Sequence, residues 1–412
     1  QPHVGGSFGV KVRLWPFYPI SAYLSRKAGG RPVRIIFSRE EEYFAGRPRE
    51  ATVIYLKTAA KKDGTLLGRQ VRLIYDNGAY SEEGPQMMKN MCYRSDSLYR
   101  LPSTRVEAIG AYTTTTPIGA FRPWGNLQMT FALESQMDSI ANELGIDPVE
   151  LRIKNASRAG DVSVHGWRLD SCGLVECLDK TDQAMDWQKR RANCQPLHGI
   201  GVAAGIHTGD WRYLGANFSG SNASVEVQED GRITVVSGEA EFGQGSHTTF
   251  AQIAAEVLQV PMEHIEVTYP DTDRTPFALG PWGTRVTIGG GWAVKLAAED
   301  ARSKLLEAAA DLLEANPNDL DISEGKISVK GTDSRALSFG DVAKYALYRA
   351  NGGLITGRGT HDPKTDPPDP TKQTSPCLAW SFASCIAEIE IDRKTGQVNI
   401  LDMASCTDGG TI

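Results

Sequence analysis

The 412-residue sequence predicts an α+β protein with two mixed domains, residues 1–192 and 193–412. Three observations carry that expectation. Strand-like and helix-like runs are mixed, without the regular strand–helix alternation of a doubly wound sheet. A composition of 41% hydrophobic and 23% charged residues is ordinary for globular chains, and the length suffices for two or three cores. The charged segment "QKRRANCQP" separates two series of elements and puts the boundary at residues 190–196.

In the first domain, "PVRIIFS", "ATVIYLKTAA" and "TLLGRQVRLIYDNGAY" have strand composition, and the last two join through the turn "KKDG". Leu127–Gly145 has helical periodicity and a glycine stop. "DPVELRIKN" starts a second helix, with Asp147 as N-cap and Pro148 at the first helical position. A polar stretch leads to a short helix near Gly173–Trp187. The second domain restarts with the strand "HGIGVAAGIHTG". "SNASVEVQEDGRITVVSG" is a hairpin turning at Glu229–Gly231. The helix after "EFGQGSHT", the strand "HIEVTYPD" and a long helix after "GTRVTIGGGWA" follow. The Pro-rich stretch Asp362–Pro376 is an expected loop, and "DRKTGQVNI" carries a final turn.

Net charge is -6 with the two signs interspersed, so no basic stripe suggests nucleic acid. No apolar run is long enough to span a membrane. The seven cysteines (92, 172, 177, 194, 377, 385 and 406) show no CxxC or other metal spacing. Their odd number, with no leader, reads as a reduced cytoplasmic chain. Three Asn-x-Ser sequons, at Asn155, Asn217 and Asn222, are then chance. The start at Gln1 and the end in the loop "CTDGGTI" suggest an internal piece of a longer polypeptide.

Glycine clusters precede a helix four times: "VGGSFGVK", "PIGAFRPWGN", "EFGQGSHT" and "LGPWGTRVTIGGGWA". A helix start offers unpaired N–H groups, and glycine lets a ligand approach the backbone. Several such starts suit a large ligand with an anionic tail, such as a nucleotide-bearing cofactor. Each cluster alone reads more readily as a tight turn than as a cofactor cradle. None matches a dinucleotide or P-loop fingerprint.

Five segments, in order, resemble the molybdenum-binding subunit of the xanthine oxidase (molybdenum hydroxylase) family. They are Gly5-Gly-Ser-Phe-Gly9-Val-Lys11; Ala120-Phe-Arg122 with Trp124-Gly125 and Gln128; "FALESQMDSIANELGIDPVELRIKNA"; Gly243-Gln-Gly-Ser-His-Thr248; and Ser375–Ile412. The similarity leans toward the hydroxybenzoyl-CoA reductase and aromatic or N-heterocycle dehydrogenase branch. No cysteine stands at 120–124, where carbon monoxide dehydrogenase would carry one. Pro123 replaces the family's usual glycine. Val12 stands where purine-oxidising members have an acid, which speaks against a purine substrate.

The resemblance implies a molybdopterin-binding fold of the aldehyde oxidase/xanthine dehydrogenase type. It implies a molybdopterin cofactor, with a cytosine dinucleotide form among the options, whose dithiolene sulfurs hold molybdenum without protein side-chain ligands. Gly6, Phe8, Gly9, Arg122, Gly243, Gln244, Gly245, Gly283 and Thr284 become the candidate cofactor contacts, and Trp124 and Tyr213 the candidate substrate contacts. The family reaction inserts an oxygen atom into an aromatic, N-heterocyclic, aldehyde or aryl-CoA substrate, or reverses that reductively, with hydride transfer to molybdenum. Its general-base glutamate would fall beyond Ile412, so no catalytic residue is assigned and the isolated chain is expected to be inactive. Iron–sulfur and flavin (FAD) centres are expected on partner subunits or domains, alongside the remaining molybdopterin-subunit segments. The rival expectations are a non-catalytic fragment or split subunit that folds but needs partner segments, and a cofactor-independent binding protein.

Overall fold

The computed structural model describes residues 1–96, 98–212, 218–332, 335–366 and 376–410. They form two compact units, one of residues 7–207 with 379–410 and one of residues 1–6, 208–366 and 376–378.

In the first unit, strands Thr52–Ala60 and Leu66–Gly78 pair antiparallel, and Thr104–Tyr112 lies parallel on the far side of the second strand. Their hairpin closes where expected, with Lys61 N donating to Thr65 O at 2.9 Å and Gly64 left-handed at φ 84°. Val71, Leu73 and Tyr75 point to one face and are buried with Met87, Met91, Met129 and Leu133 of helices Gly84–Tyr93 and Asn126–Leu144. Side chains of this size each contribute roughly 1.5–3 kcal/mol on full burial. The longer helix ends at left-handed Gly145, and Asp147 caps helix Pro148–Asn155 by accepting from Val149 N at 2.8 Å.

A buried carboxylate ties these helices to the rest of the unit. Glu134 accepts from Tyr99 Oη at 2.7 Å, Arg152 Nε at 2.8 Å and the Ala204 amide at 2.8 Å. Ala204 lies on strand His198–Trp211, the edge of a sheet that continues through Cys377–Ile391 to Val398–Thr407. Helix Leu174–Met185 packs there through Thr181, whose hydroxyl meets that of Ser384 at 2.8 Å.

Residues 32–38, expected as a strand, carry no ladder. Ile36 is exposed, and among the described residues no strand pairs with this run, so its β-type composition goes unused. The structure adds helices Arg39–Ala45, Gly84–Tyr93 and Trp187–Ala192 and strand Thr104–Tyr112 to those expected.

In the second unit a four-stranded sheet has the order Ile355–His361, Ser221–Val227, Ile233–Ser237, Ile265–Val267. The expected hairpin turns at Gly231, with Gln228 N donating to Arg232 O at 2.8 Å. Helices Ser246–Leu258 and Trp292–Leu313 pack on this sheet. The second buries an alanine stripe that includes Ala293, Ala297 and Ala301. A Cβ on Gly357 would lie 2.0 Å from Ala297 O, and one on Gly359 2.1 Å from Ala293 O. The strand's glycines therefore let the helix backbone rest directly on the sheet. A smaller sheet, Leu320–Ser323, Lys326–Val329 and Leu337–Ser338, precedes helix Phe339–Tyr348. Of the Pro-rich loop, residues 367–375 lie outside the described residues. No helix among the described residues is long and apolar enough to cross a membrane.

Candidate functional site

The candidate residues fall on loops of both units. In the first unit, Ser7–Lys11 is a tight turn closed by Val10 N to Ser7 O at 3.1 Å and Val12 N to Gly9 O at 3.2 Å. Phe8 is left-handed at φ 54°, an uncommon conformation outside glycine, and its ring is 60% exposed. Gly9, at φ 100°, packs so closely that a Cβ would stand 2.9 Å from Ala120 O. The Arg122 amide donates to Phe8 O at 2.9 Å, so this turn and the 120–125 loop are stitched together.

In that loop the Arg122–Pro123 peptide is cis, and Trp124 N donates to Phe121 O at 2.6 Å. Left-handed Gly125 caps helix 126–144. The Arg122 side chain is exposed and makes no ion pair among the described residues. Behind it, Arg49 stacks over Phe121 with 4.7 Å to the ring centroid and donates to the carbonyls of Phe121 and Arg122. Trp124 is half-buried against the Met87 and Met91 core, with its carbonyl accepting from Asn90 Nδ2 at 2.6 Å.

Nearby, the His207 imidazole is pushed down to about 4, first by burial and then by the positive charge of Arg94 and Arg122. The imidazole is neutral at physiological pH. Arg94 and Arg122 thus set positive charge beside a neutral imidazole.

In the second unit, the start of helix Ser246–Leu258 answers why glycines stand there. The Glu241 carboxylate folds back over it. Oε1 accepts from Gly243 N at 2.7 Å and Gly245 N at 3.1 Å. Oε2 accepts from the Ser246 hydroxyl at 2.8 Å and His247 N at 3.2 Å. Burial opposes ionisation here, but the Ser246 hydroxyl and these amides outweigh it and hold the carboxyl at about 2. The helix start thus carries its own anion. Gln244 braces the same turn, its Oε1 accepting from Phe242 N at 2.8 Å and its Nε2 donating to Ala240 O at 2.7 Å. Gly243 and Gly245, both left-handed, keep open faces, with no atom within 4 Å of a Cβ. The side chain of Gln1 hydrogen-bonds the Glu241 backbone, which brings the segment leading to left-handed Gly6 beside this turn.

Gly283 and Thr284 are left-handed at φ 60° and 57°. Gly283 O accepts from Asp210 N at 3.1 Å, and Thr284 is exposed. The next residue, Arg285, is fully buried between Asp210 and Glu239. Tyr213 lies outside the described residues.

Sequence reasoning passed over Glu241, Asp210, Glu239 and Arg285. Glu241 had a visible signal, an acid just before an N-terminal glycine turn. The other three are brought together only by the fold. Among the described residues no group of three or more His, Cys, Asp or Glu side chains could hold a metal ion. Taken unit by unit, the exposed Phe8 ring and Arg122 guanidinium beside the close-packed Gly9 in the first, and the open faces of Gly243 and Gly245 in the second, are features that a large polar ligand such as a pterin can approach.

Two models, each described as a molybdopterin cofactor-binding domain, match residues 1–156 and 180–412. Xanthine dehydrogenase molybdenum-binding subunit of Escherichia coli O157:H7 is 33% identical over 99% of the chain and 54% of its own length. Carbon monoxide dehydrogenase large chain of Hydrogenophaga pseudoflava is 30% identical over 100% of the chain and 53% of its own. Among solved structures, quinoline 2-oxidoreductase from Pseudomonas putida 86 aligns at TM-score 0.82 and 25% identity, covering 98% of this chain and 53% of that one. The chain therefore spans about half the length of the relatives it matches.

Proposed function

This chain belongs to the molybdopterin cofactor-binding domain family, and from that premise we propose that it is the cofactor-holding portion of a molybdenum hydroxylase or dehydrogenase. We take residues 1–192 and 193–412 as its two cofactor-binding domains in sequence, a division distinct from the two compact units, which change over between residues 207 and 208 and return residues 379–410 to the first. Bound molybdopterin would supply two-electron redox chemistry at molybdenum. The chain's own residues bind and orient it. Phe8 and Gly9 would present one turn to the cofactor, and Arg122, without an ion pair among the described residues, would offer its guanidinium to an anionic or accepting edge. Gly6, Gly243, Gly245, Gly283 and Thr284 provide backbone that a large ligand can approach. Gln244 can contribute its amide only by exchanging its bonds to Phe242 and Ala240, because both ends are engaged in the turn.

The observation that carries this reading is the stitched pair of loops at Phe8 and Arg122. There a left-handed aromatic side chain and an uncompensated guanidinium are held exposed by a glycine that tolerates no Cβ. Such strain at an exposed loop is characteristic of ligand sites. Trp124 and Tyr213 are the proposed contacts for an aromatic, N-heterocyclic, aldehyde or aryl-CoA substrate. Iron–sulfur and flavin centres on partner subunits or domains would carry electrons away, and the cytosine dinucleotide form of the pterin belongs to this reading. With relatives about twice its length, the 412-residue chain by itself is expected to turn over no substrate.

The test is elemental and pterin analysis of the native assembly containing this chain. One molybdenum and one releasable pterin per chain are expected, with both reduced in Gly243→Ala. An assembly without molybdenum and pterin would overturn the reading.

A further inference from the structure

We propose that Arg285 is a positioning residue, the centre of a buried lock that fixes the two turns presenting Gly243–Gly245 and Gly283–Thr284. The guanidinium is fully buried and its three nitrogens reach four separate segments. Nε donates to Asp210 Oδ1 at 3.2 Å. Nη1 donates to Glu239 Oε1 at 3.1 Å and to Gly280 O at 3.1 Å. Nη2 donates to Ser219 O at 2.7 Å, and the Ser221 hydroxyl donates to Glu239 Oε1.

Three of these contacts lead to a candidate loop. Glu239 lies two residues before Glu241, whose carboxylate holds the 243–247 amides. Gly280 opens the turn that ends at Thr284, and Asp210 binds the same turn a second time through Gly283 O. The glycine run behind Arg285 makes room for this cluster rather than for a ligand. A Cβ on Gly289 would stand 3.0 Å from Arg285 Nη2, and one on Gly290 would stand 3.0 Å from Glu239 Cγ.

The charges do not balance. Two fully buried carboxylates share one guanidinium, and Asp210 Oδ2 and Glu239 Oε2 have no hydrogen-bond partner among the described residues. An unpaired buried charge is costly, so the cluster favours taking up a proton. Asp210 is pushed up to about 6, by burial first, with Glu239 adding to it and Arg285 and Arg212 opposing. The lock is then tightest when Asp210 is protonated, and it loosens as pH rises from about 4 through about 6.

The lock stands on this geometry, and its bearing on cofactor rests on the function proposed above. The experiment is hydrogen exchange on the native assembly, read as protection factors for peptides covering 239–247 and 280–285, with pterin content measured in parallel. Arg285→Lys keeps the charge but cannot make the same set of bonds. It is expected to lower protection in both peptides at least tenfold, by more than in the 120–125 peptide, and to reduce pterin content. If Arg285→Lys does not fold, Asp210→Asn decides. Wild type should lose protection in these peptides between about pH 4 and 6.5, and the variant should not. Unchanged protection in Arg285→Lys, equal loss in all peptides, or identical pH profiles in wild type and Asp210→Asn would overturn the lock. Lowered protection with full pterin content would uphold the lock and count against the cofactor role of these two turns.

Discussion

At the scale of single residues, Glu241 and Arg122 decide most. Glu241 turns an exposed helix start into a satisfied one with four donors on one carboxylate. Its folded value lies below its ordinary one, so its stabilisation is fully present above about pH 4.5 and disappears as pH falls through about 2. Glu241→Gln should therefore cost on the order of 2 kcal/mol at pH 7. In denaturant unfolding, the gap to wild type should narrow steadily below pH 4.5; a gap that stays constant with pH would show that charge is not what holds the turn.

Arg122 acts through its field. His207 sits below its unfolded value, so as pH falls from about 6.5 toward 4 the unfolded state gains a proton that the folded state refuses, and stability drops. Arg122→Gln removes one repelling charge and leaves burial and Arg94 in place. The His207 titration, followed by NMR, should move upward but stay below the ordinary value. An unmoved titration would remove Arg122 from the electropositive region. The glycines and Arg122 were legible as candidates in the sequence. The engagement of Gln244 inside its own turn was not, since it depends on where Ala240 and Phe242 carry their backbone groups.

At the scale of elements, local signals were reliable where the chain satisfies itself. The hairpin at Gly64, the glycine stop at Gly145 and the Asp147 cap lie where the residues indicate, because each rests on bonds within a few residues. Residues 32–38 failed for the opposite reason, since a strand needs a partner that the sequence does not name. Helix 84–93 was missed because its buried Met87 and Met91 sit among polar residues in a short segment. The contact of helix 292–313 with strand 355–361 is also invisible locally, because "ITGRGTH" looks like a weak strand until the alanine stripe lands on it. Gly357→Ala would force the helix away from the sheet and should destabilise the protein by about 3 kcal/mol or more. Gly201→Ala, in a strand with open space around it, should change stability by less than about 1 kcal/mol. Comparable thermal midpoints for the two variants would contradict the close packing assigned to Gly357.

At the scale of the whole molecule, each unit is assembled from distant parts of the chain. Strand 198–211 lies beside strand 377–391, and Gly173 N donates to Asp408 at 2.9 Å. No periodicity predicts such pairings, whereas ordered family segments carry them implicitly. That is why the resemblance located the glycine loops and the physical reading alone stopped at several possible ligand turns. The central claim is the proposal that residues in the loops 5–12, 119–125, 240–247 and 280–285 contact a molybdopterin. Hydrogen exchange on the native assembly, before and after release of its cofactor, tests it most directly. Loss of protection concentrated in those four segments is the predicted result. Exchange that is unchanged there, or altered only elsewhere, would contradict it.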